Sequence, residues 1–305
     1  MTVSYEDRLR RLSERSVEKH FDAYADIAWD APEHTIDPRD PRFALSDDHP
    51  LGASTWYRAR PADERARIGL ECLVQQMAVG AFFENVLSRG LLVLASRTDE
   101  QQPELRYALH EVIEECQHSL MFHEFVRRSG LRPAGVSGPK RWMADRVPGF
   151  AARSPELFFL FVLAGEEPID RAQREALARG GLHPLVERIM RIHTTEEARH
   201  LCFARSYLER RAPALGALRR LQLTVRLPFM LRVMSSMMLE PPSAILRAHH
   251  APHGVVKLTP GARAESVAGV RALAAKLGLI EGRAGELWRR LELVPAILQG
   301  AEARG

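Results

Sequence analysis

Residues 193–200 read His193-Thr-Thr-Glu-Glu-Ala-Arg-His200. At about 100° per residue, His193, Glu197 and His200 fall at roughly 0°, 40° and −20° around a helix, a narrow stripe of two imidazoles and a carboxylate. A Glu and a His three positions apart share a helix face and can reach one metal ion. A second such pair, Glu115-Cys-Gln-His118, lies upstream. A chain with twelve histidines and this many glutamates would carry about one Glu-x-x-His pair by chance, so the pairs gain meaning only from their placement.

Working outward, helical periodicity dominates and no alternating strand pattern stands out. Four long helices are predicted, over residues 62–94, 103–129, 155–179 and 184–211, each opened at or just after a proline. Gly130 ends the second and Gly180-Gly181 the third, while Pro213 follows the fourth. Pro168 is expected to bend the third near Glu166. The Glu-x-x-His pairs sit on the second and fourth helices. The first and third each carry a glutamate in an apolar run: Glu84 in AVGAFFENVL and Glu166 in FFLFVLAGEEP. A carboxylate on a core stripe is costly unless paired or metal-bound. One Glu from each of two helices plus one Glu-x-x-His from each of the other two is the four-helix di-metal carboxylate arrangement. The fold class is therefore all-α, a ferritin-like four-helix bundle core with additional N- and C-terminal helices.

The remainder reads as additions to that core. A helix is expected over residues 5–28, then a Pro- and Asp-rich segment to residue 61 that wraps the bundle. A fifth apolar helix spans 215–239, as core or as a dimer interface, and shorter helices cover 260–277 and 281–291. The organisation is one helical domain, 1–305, with the di-metal core at 62–211, the N-terminal helix and wrapping segment at 1–61, and C-terminal helices at 212–305.

Four carboxylates offset two divalent ions, which lets the site lie in a dry interior. Carboxylate and imidazole donors suit iron or manganese, whereas zinc more often recruits thiolates. Cys116 and Cys202 fall off the Glu-His faces. Glu71 competes with Glu84, Glu167 with Glu166, and Glu196 with Glu197. Glu84 is preferred for its apolar flanks, and Glu197 because His stands three residues on. The position one turn before Glu115 is Glu111 rather than His, so the half-sites are expected to be unequal.

Taken together, Glu115-x-x-His118, the Glu166-Glu167-Pro168 segment and His193-x-x-x-Glu197-x-x-His200 resemble the di-iron N-oxygenases typified by p-aminobenzoate and arylamine N-oxygenases, with the third histidine as the specific element. The resemblance covers residues 62–211. It implies a helical bundle, usually a homodimer, in which Glu84, Glu115, His118, Glu166, His193, Glu197 and His200 hold two iron ions (Fe2+/Fe3+). It also implies O2 as cosubstrate, an external electron donor or donor protein, and oxidation of a small amine nitrogen to a hydroxylamine, nitroso or nitro product. Val79, Phe83, Phe122 and Leu163 are expected to line the substrate pocket. Residues 69–88 offer no Lys or Arg for a benzoate carboxylate, so p-aminobenzoate itself does not carry over.

Other readings are a hydroxylase, a fatty-acyl desaturase, a ribonucleotide reductase small subunit, iron storage, or a metal-free helical interaction protein. The reductase reading needs a tyrosine beside the metals, whereas Tyr107 and Tyr207 stand two turns from the motifs. Net charge is +4 with both signs interspersed, which gives no nucleic-acid footprint. Three scattered cysteines without a CxxC and a charged N-terminus lead to the expectation of a cytoplasmic protein. Residues 227–239 are too short for a membrane span and are interrupted by Arg232.

Overall fold

Proline and glycine set most helix ends. The computed structural model describes residues 3–256, 260–280 and 283–294. The helices are, in order, α1 (Tyr5–Glu18), α2 (Thr55–Arg58), α3 (Ala62–Ala95), α4 (Pro103–Ser129), α5 (Gly138–Ala144), α6 (Pro148–Arg153) and α7 (Pro155–Arg179). There follow α8 (Pro184–Arg211), α9 (Ala217–Leu239), α10 (Ser243–Ala248), α11 (Pro260–Ser266), α12 (Ala268–Lys276) and α13 (Arg283–Arg290). No strand occurs among the described residues. Helices α4, α7 and α8 start with proline, whose missing N–H is no loss in a first turn. Gly130 closes α4 at φ +68° with open space where a Cβ would stand, so backbone conformation alone selects glycine.

Helices α3 and α4 pack as one pair and α7 and α8 as another, with further contacts of α3 on α7 and α4 on α8. A single long crossover, through α5 and α6, joins the pairs, which is the ferritin-like connection. Pro168 lies inside α7, which continues through it; the ring removes the N–H that would bond the Ala164 carbonyl. Helix α1 lies against α4 and α8, α9 packs on α7, and α11 and α12 reach α7 while α13 reaches α9.

Two differences from expectation concern the chain ends. The first helix stops at Glu18 rather than near residue 28, because core side chains capture the following backbone. Glu196 accepts from Phe21 N–H (3.2 Å), Gln117 accepts from Ala23 N–H (2.8 Å), and Asp22 accepts from the N–H groups of Tyr24 and Ala25. The stretch expected as one helix over 260–277 divides into α11 and α12. The last expected helix is present as Arg283–Arg290, with Glu281 outside the described residues. Between Pro32 and Pro61 the chain makes two 3-10 turns and α2. It passes so close to α3 that a Cβ on Gly69 would stand 1.9 Å from the Phe43 carbonyl oxygen.

The apolar interior is divided. One cluster includes Val86, Leu87, Leu91, Phe158, Phe159, Phe203 and Leu208. Another includes Leu70, Val74, Met77, Phe122, Phe125, Ile189 and Ile192. On α4 the clusters are separated between Ala108 and Met121, and on α8 between Ile192 and Leu201. A polar layer fills the gap. Helix α3 is long and apolar enough to cross a membrane, with mean hydropathy 1.4 over its best window, yet 61% of that window is buried within the bundle. It carries Glu84 into the polar layer, as a core helix does.

Candidate metal centre

The helices bring the seven predicted ligands to that layer. Glu84 comes from α3, Glu115 and His118 from α4, Glu166 from α7, and His193, Glu197 and His200 from α8, none more than 2% exposed. Donor atoms of Glu84, His118 and His193 lie within 4.8 Å of one another. The same holds for Glu115, His118 and Glu197, and for Glu166, His193 and Glu197. A fourth group joins Glu115 and His200 to Glu111, a residue outside the predicted set. The groups overlap, with Glu115, His118, His193 and Glu197 each in two of them, so the donors form one continuous cluster.

Each imidazole turns one nitrogen inward and gives the other to a supporting side chain. His118 points Nδ1 at Glu115 (3.2 Å) and Glu197 (3.5 Å), while Nε2 meets Glu196 Oε2 at 2.9 Å. His200 points Nδ1 at Glu197 (3.0 Å) and Glu115 (3.3 Å), and its Nε2 meets Glu114 Oε2 at 2.8 Å. The wiring is crossed: the α8 carboxylate serves the α4 histidine and the reverse. Arg199 spans the two supports, 2.8 Å from Glu114 and 3.5 Å from Glu196. His193 enters by Nε2, 3.4 Å from Glu84, and its Nδ1 bonds to Gln173 Oε1 at 2.9 Å. Such partners fix tautomer and ring orientation in metal sites.

Electrostatics fit a missing positive charge. Burial, then the charges of Glu115 and Glu166, raise Glu84 well above the usual carboxylate range. Burial followed by Glu197 does the same to Glu166, and Glu197 is raised chiefly by burial. Glu115 is held below it, because His200 and His118 overcome its burial. His118 is raised to about 10: burial opposes this, and bonds to Glu115 and Glu196 outweigh it. His193 is pushed well below its ordinary value by burial and by His118. Glu84 Oε2 and Glu197 Oε2 have no hydrogen-bond partner. Carboxylates this crowded cannot all ionise without cations, and divalent ions among them would remove both the repulsion and the orphaned oxygens. The residues therefore fit a pair of metal ions with oxygen and nitrogen donors.

A cavity of about 30 Å3 adjoins the layer, with Leu73, Met77, Phe83, Phe122, Met190 and Gln173 among its walls. That is room for about two waters. Glu84, Glu166 and His193 form its inner end. Of the four residues expected to line a substrate pocket, Phe83 and Phe122 stand in the wall of this cavity. Val79 and Leu163 do not: the lining stripe on α3 runs through Leu73, Met77, Gly80 and Glu84, which leaves Val79 beside it. Leu163 belongs to the apolar cluster beyond the polar layer. Gly165 admits the Phe83 ring, since a Cβ there would stand 2.1 Å from Phe83 Cζ.

The sequence competitors have other partners. Glu71 pairs with His249 at 2.7 Å and Glu167 with Arg205 at 2.9 Å. Glu196 supports His118 rather than facing inward. Sequence reasoning missed the roles of Glu114, Glu196 and Gln173. A signal for the first two was present: both pairs are preceded by a further glutamate, Glu114-Glu115-x-x-His118 and Glu196-Glu197-x-x-His200.

Comparison with known proteins adds an independent finding. The family described as p-aminobenzoate N-oxygenase AurF matches residues 2–281. An uncharacterized protein of Mycobacterium bovis is 38% identical over 295 residues, covering 94% of this chain and 87% of the relative. An uncharacterized protein of Mycobacterium tuberculosis matches with the same identity and coverage.

Proposed function

This chain belongs to the p-aminobenzoate N-oxygenase family, and from that premise we propose that it is a non-haem di-iron oxygenase that uses O2 to oxidise the nitrogen of a small, aromatic amine. The observation that carries the reading is the buried layer in which two Glu-x-x-His pairs and a third histidine meet with unpartnered carboxylate oxygens. Glu84, Glu115, His118, Glu166, His193, Glu197 and His200 would hold the two irons. The metal pair would supply O2 activation and the oxidising equivalents, with electrons from an external donor.

The chain's own residues set the conditions. Glu114 and Glu196 keep the outer nitrogens of His200 and His118 engaged, so the inner nitrogens face the layer. Gln173 accepts from His193 Nδ1–H and presents Nε2 as a lone pair. Phe83, Phe122, Met77 and Leu73 exclude water from the reaction space. The cavity is far below the roughly 300 Å3 of an ordinary ligand pocket, so an amine enters by displacing Phe83, Phe122 or a methionine. No Lys or Arg lines it, which favours a neutral amine without a carboxylate close to its reacting nitrogen.

We place the enzyme in the cytoplasm as a homodimer. Apolar residues left exposed on α4 (Leu109, Ile113, Leu120) and on α9 (Leu218, Leu221, Val225, Phe229) support the second point. Light scattering on the purified protein tests it, with a monomer as the contrary result. A reductase-like reading draws on one observation: the Tyr107 side chain is fully buried one turn from Glu111, with its hydroxyl unpartnered.

The decisive experiment loads the protein with iron, reduces it, and adds 18O2 with a panel of amines. Two irons per chain and label on the product nitrogen support the proposal. A persistent tyrosyl radical signal without amine oxidation would transfer the case to the reductase reading, and a protein that binds no iron would end both.

A further inference from the structure

Glu111 stands where the symmetry of the two motifs puts His193. Along α4 the residues are Glu111, Glu115 and His118; along α8 they are His193, Glu197 and His200, with the same spacing of four and three. Its carboxylate is fully buried, and neither oxygen has a hydrogen-bond partner. Glu84, Glu114, Glu115, Glu196 and Glu197 differ in this respect, each meeting at least one imidazole. Glu114 holds Arg199 and His200, Glu196 holds His118 and the backbone of Phe21, and Glu84 meets His193. A buried carboxyl with both oxygens idle is costly, and no Lys or Arg hydrogen-bonds to it among the described residues. His200 is the near imidazole and acts on Glu111 through its charge alone, because its nitrogens already face Glu114 and Glu197.

We propose that Glu111 is an eighth metal donor, completing the position formed with Glu115 and His200. The inference rests on the two-metal reading of the centre and adds a ligand to it. The two positions then differ in kind. Glu84, His118 and His193 give one carboxylate and two imidazoles; Glu111, Glu115 and His200 give two carboxylates and one imidazole. The first is nitrogen-rich and the second oxygen-rich, so the second favours the harder ion where iron and manganese compete. The absence of histidine at position 111 is then no gap in the site, because a carboxylate fills the same place.

Full-length apoprotein, titrated anaerobically with Fe2+ and counted by equilibrium dialysis, tests this on wild type, Glu111→Gln and Glu111→Leu. The expected result is two ions per wild-type chain, with one of the two bound at least tenfold more weakly in both variants and the other unchanged. Apo Glu111→Leu should melt no lower than wild type, because an unpartnered buried carboxyl has been removed. A smaller change in affinity in Glu111→Gln, which keeps the shape of the side chain, overturns the proposal while two wild-type ions leave the di-metal reading standing. A wild type that binds no Fe2+ removes both.

Discussion

Helices α4 and α8 present nearly the same series to the centre. On α4 it runs Glu111, Glu114, Glu115, His118, and on α8 it runs His193, Glu196, Glu197, His200. Inner glutamates, outer glutamates and final histidines correspond one to one, down to the outer bonds of 2.8 and 2.9 Å. The halves part at the first member, a carboxylate on α4 and an imidazole on α8, and at its support. His193 leans on the neutral amide of Gln173, while Glu111 leans on nothing. Correspondence supplies a frame for two metals, and the departure makes the two positions chemically distinct. A neutral support also leaves His193 a weaker donor than imidazoles backed by carboxylates.

The comparison breaks most severely at its shared members. Glu115→Ala and Glu197→Ala should each reduce iron content below one per chain, because each of these residues faces both motif histidines; metal analysis of the purified variants checks this. Next come the outer supports. Glu114→Gln and Glu196→Gln should each weaken iron binding or turnover by about 10–100-fold, and by similar factors. Chelator competition reads the loss, and a large inequality would show that the apparent symmetry is only geometric. Gln173→Leu has no counterpart on the α4 side and should cost less, about tenfold in affinity, with Glu114→Gln as the reference. Its effect should fall on one of the two ions, which a biphasic titration would reveal.

The smallest effect concerns the pH at which the halves can be compared. His49 is half-buried, accepts from Leu51 N–H at 3.1 Å, and is pushed down to about 4 by burial. Its folded value lies below the ordinary 6.5, so its contribution to stability is present above pH 6.5 and is lost as pH falls through about 4. Thermal melts of the apoprotein should show a declining acid limb that is shallower in His49→Gln. Measurements on the metal variants above pH 6.5 are then free of the His49 effect.

How far the sequence carried the reading depends on where each signal was written. Helix limits at Pro103, Gly130, Pro155, Gly180 and Pro184 were legible because those residues act on the backbone locally. Glu84 and Glu166 stood out against apolar neighbours. The end of α1 was not legible, since Glu196 and Gln117, distant in sequence, terminate it. The role of Glu111 was hidden for another reason: Glu111 and Glu114 both lie within one turn of Glu115 and both are buried, and only the folded structure shows that Glu114 bonds to His200 while both Glu111 oxygens lack a partner. Val79 and Leu163 lie outside the cavity lining because nearness in sequence to Glu84 and Glu166 does not fix which way a helix turns a side chain.

The crossed bonds between outer glutamates and opposite histidines have a consequence for assembly. Neither helix pair contains both members of an outer couple, because Glu114 waits for His200 and His118 for Glu196. A polypeptide nicked in the crossover between Gly130 and Pro155 would yield two fragments, each bearing half of both crossed couples. Reassociation and metal capture would then be one concerted event, and the ions would act as the glue between halves.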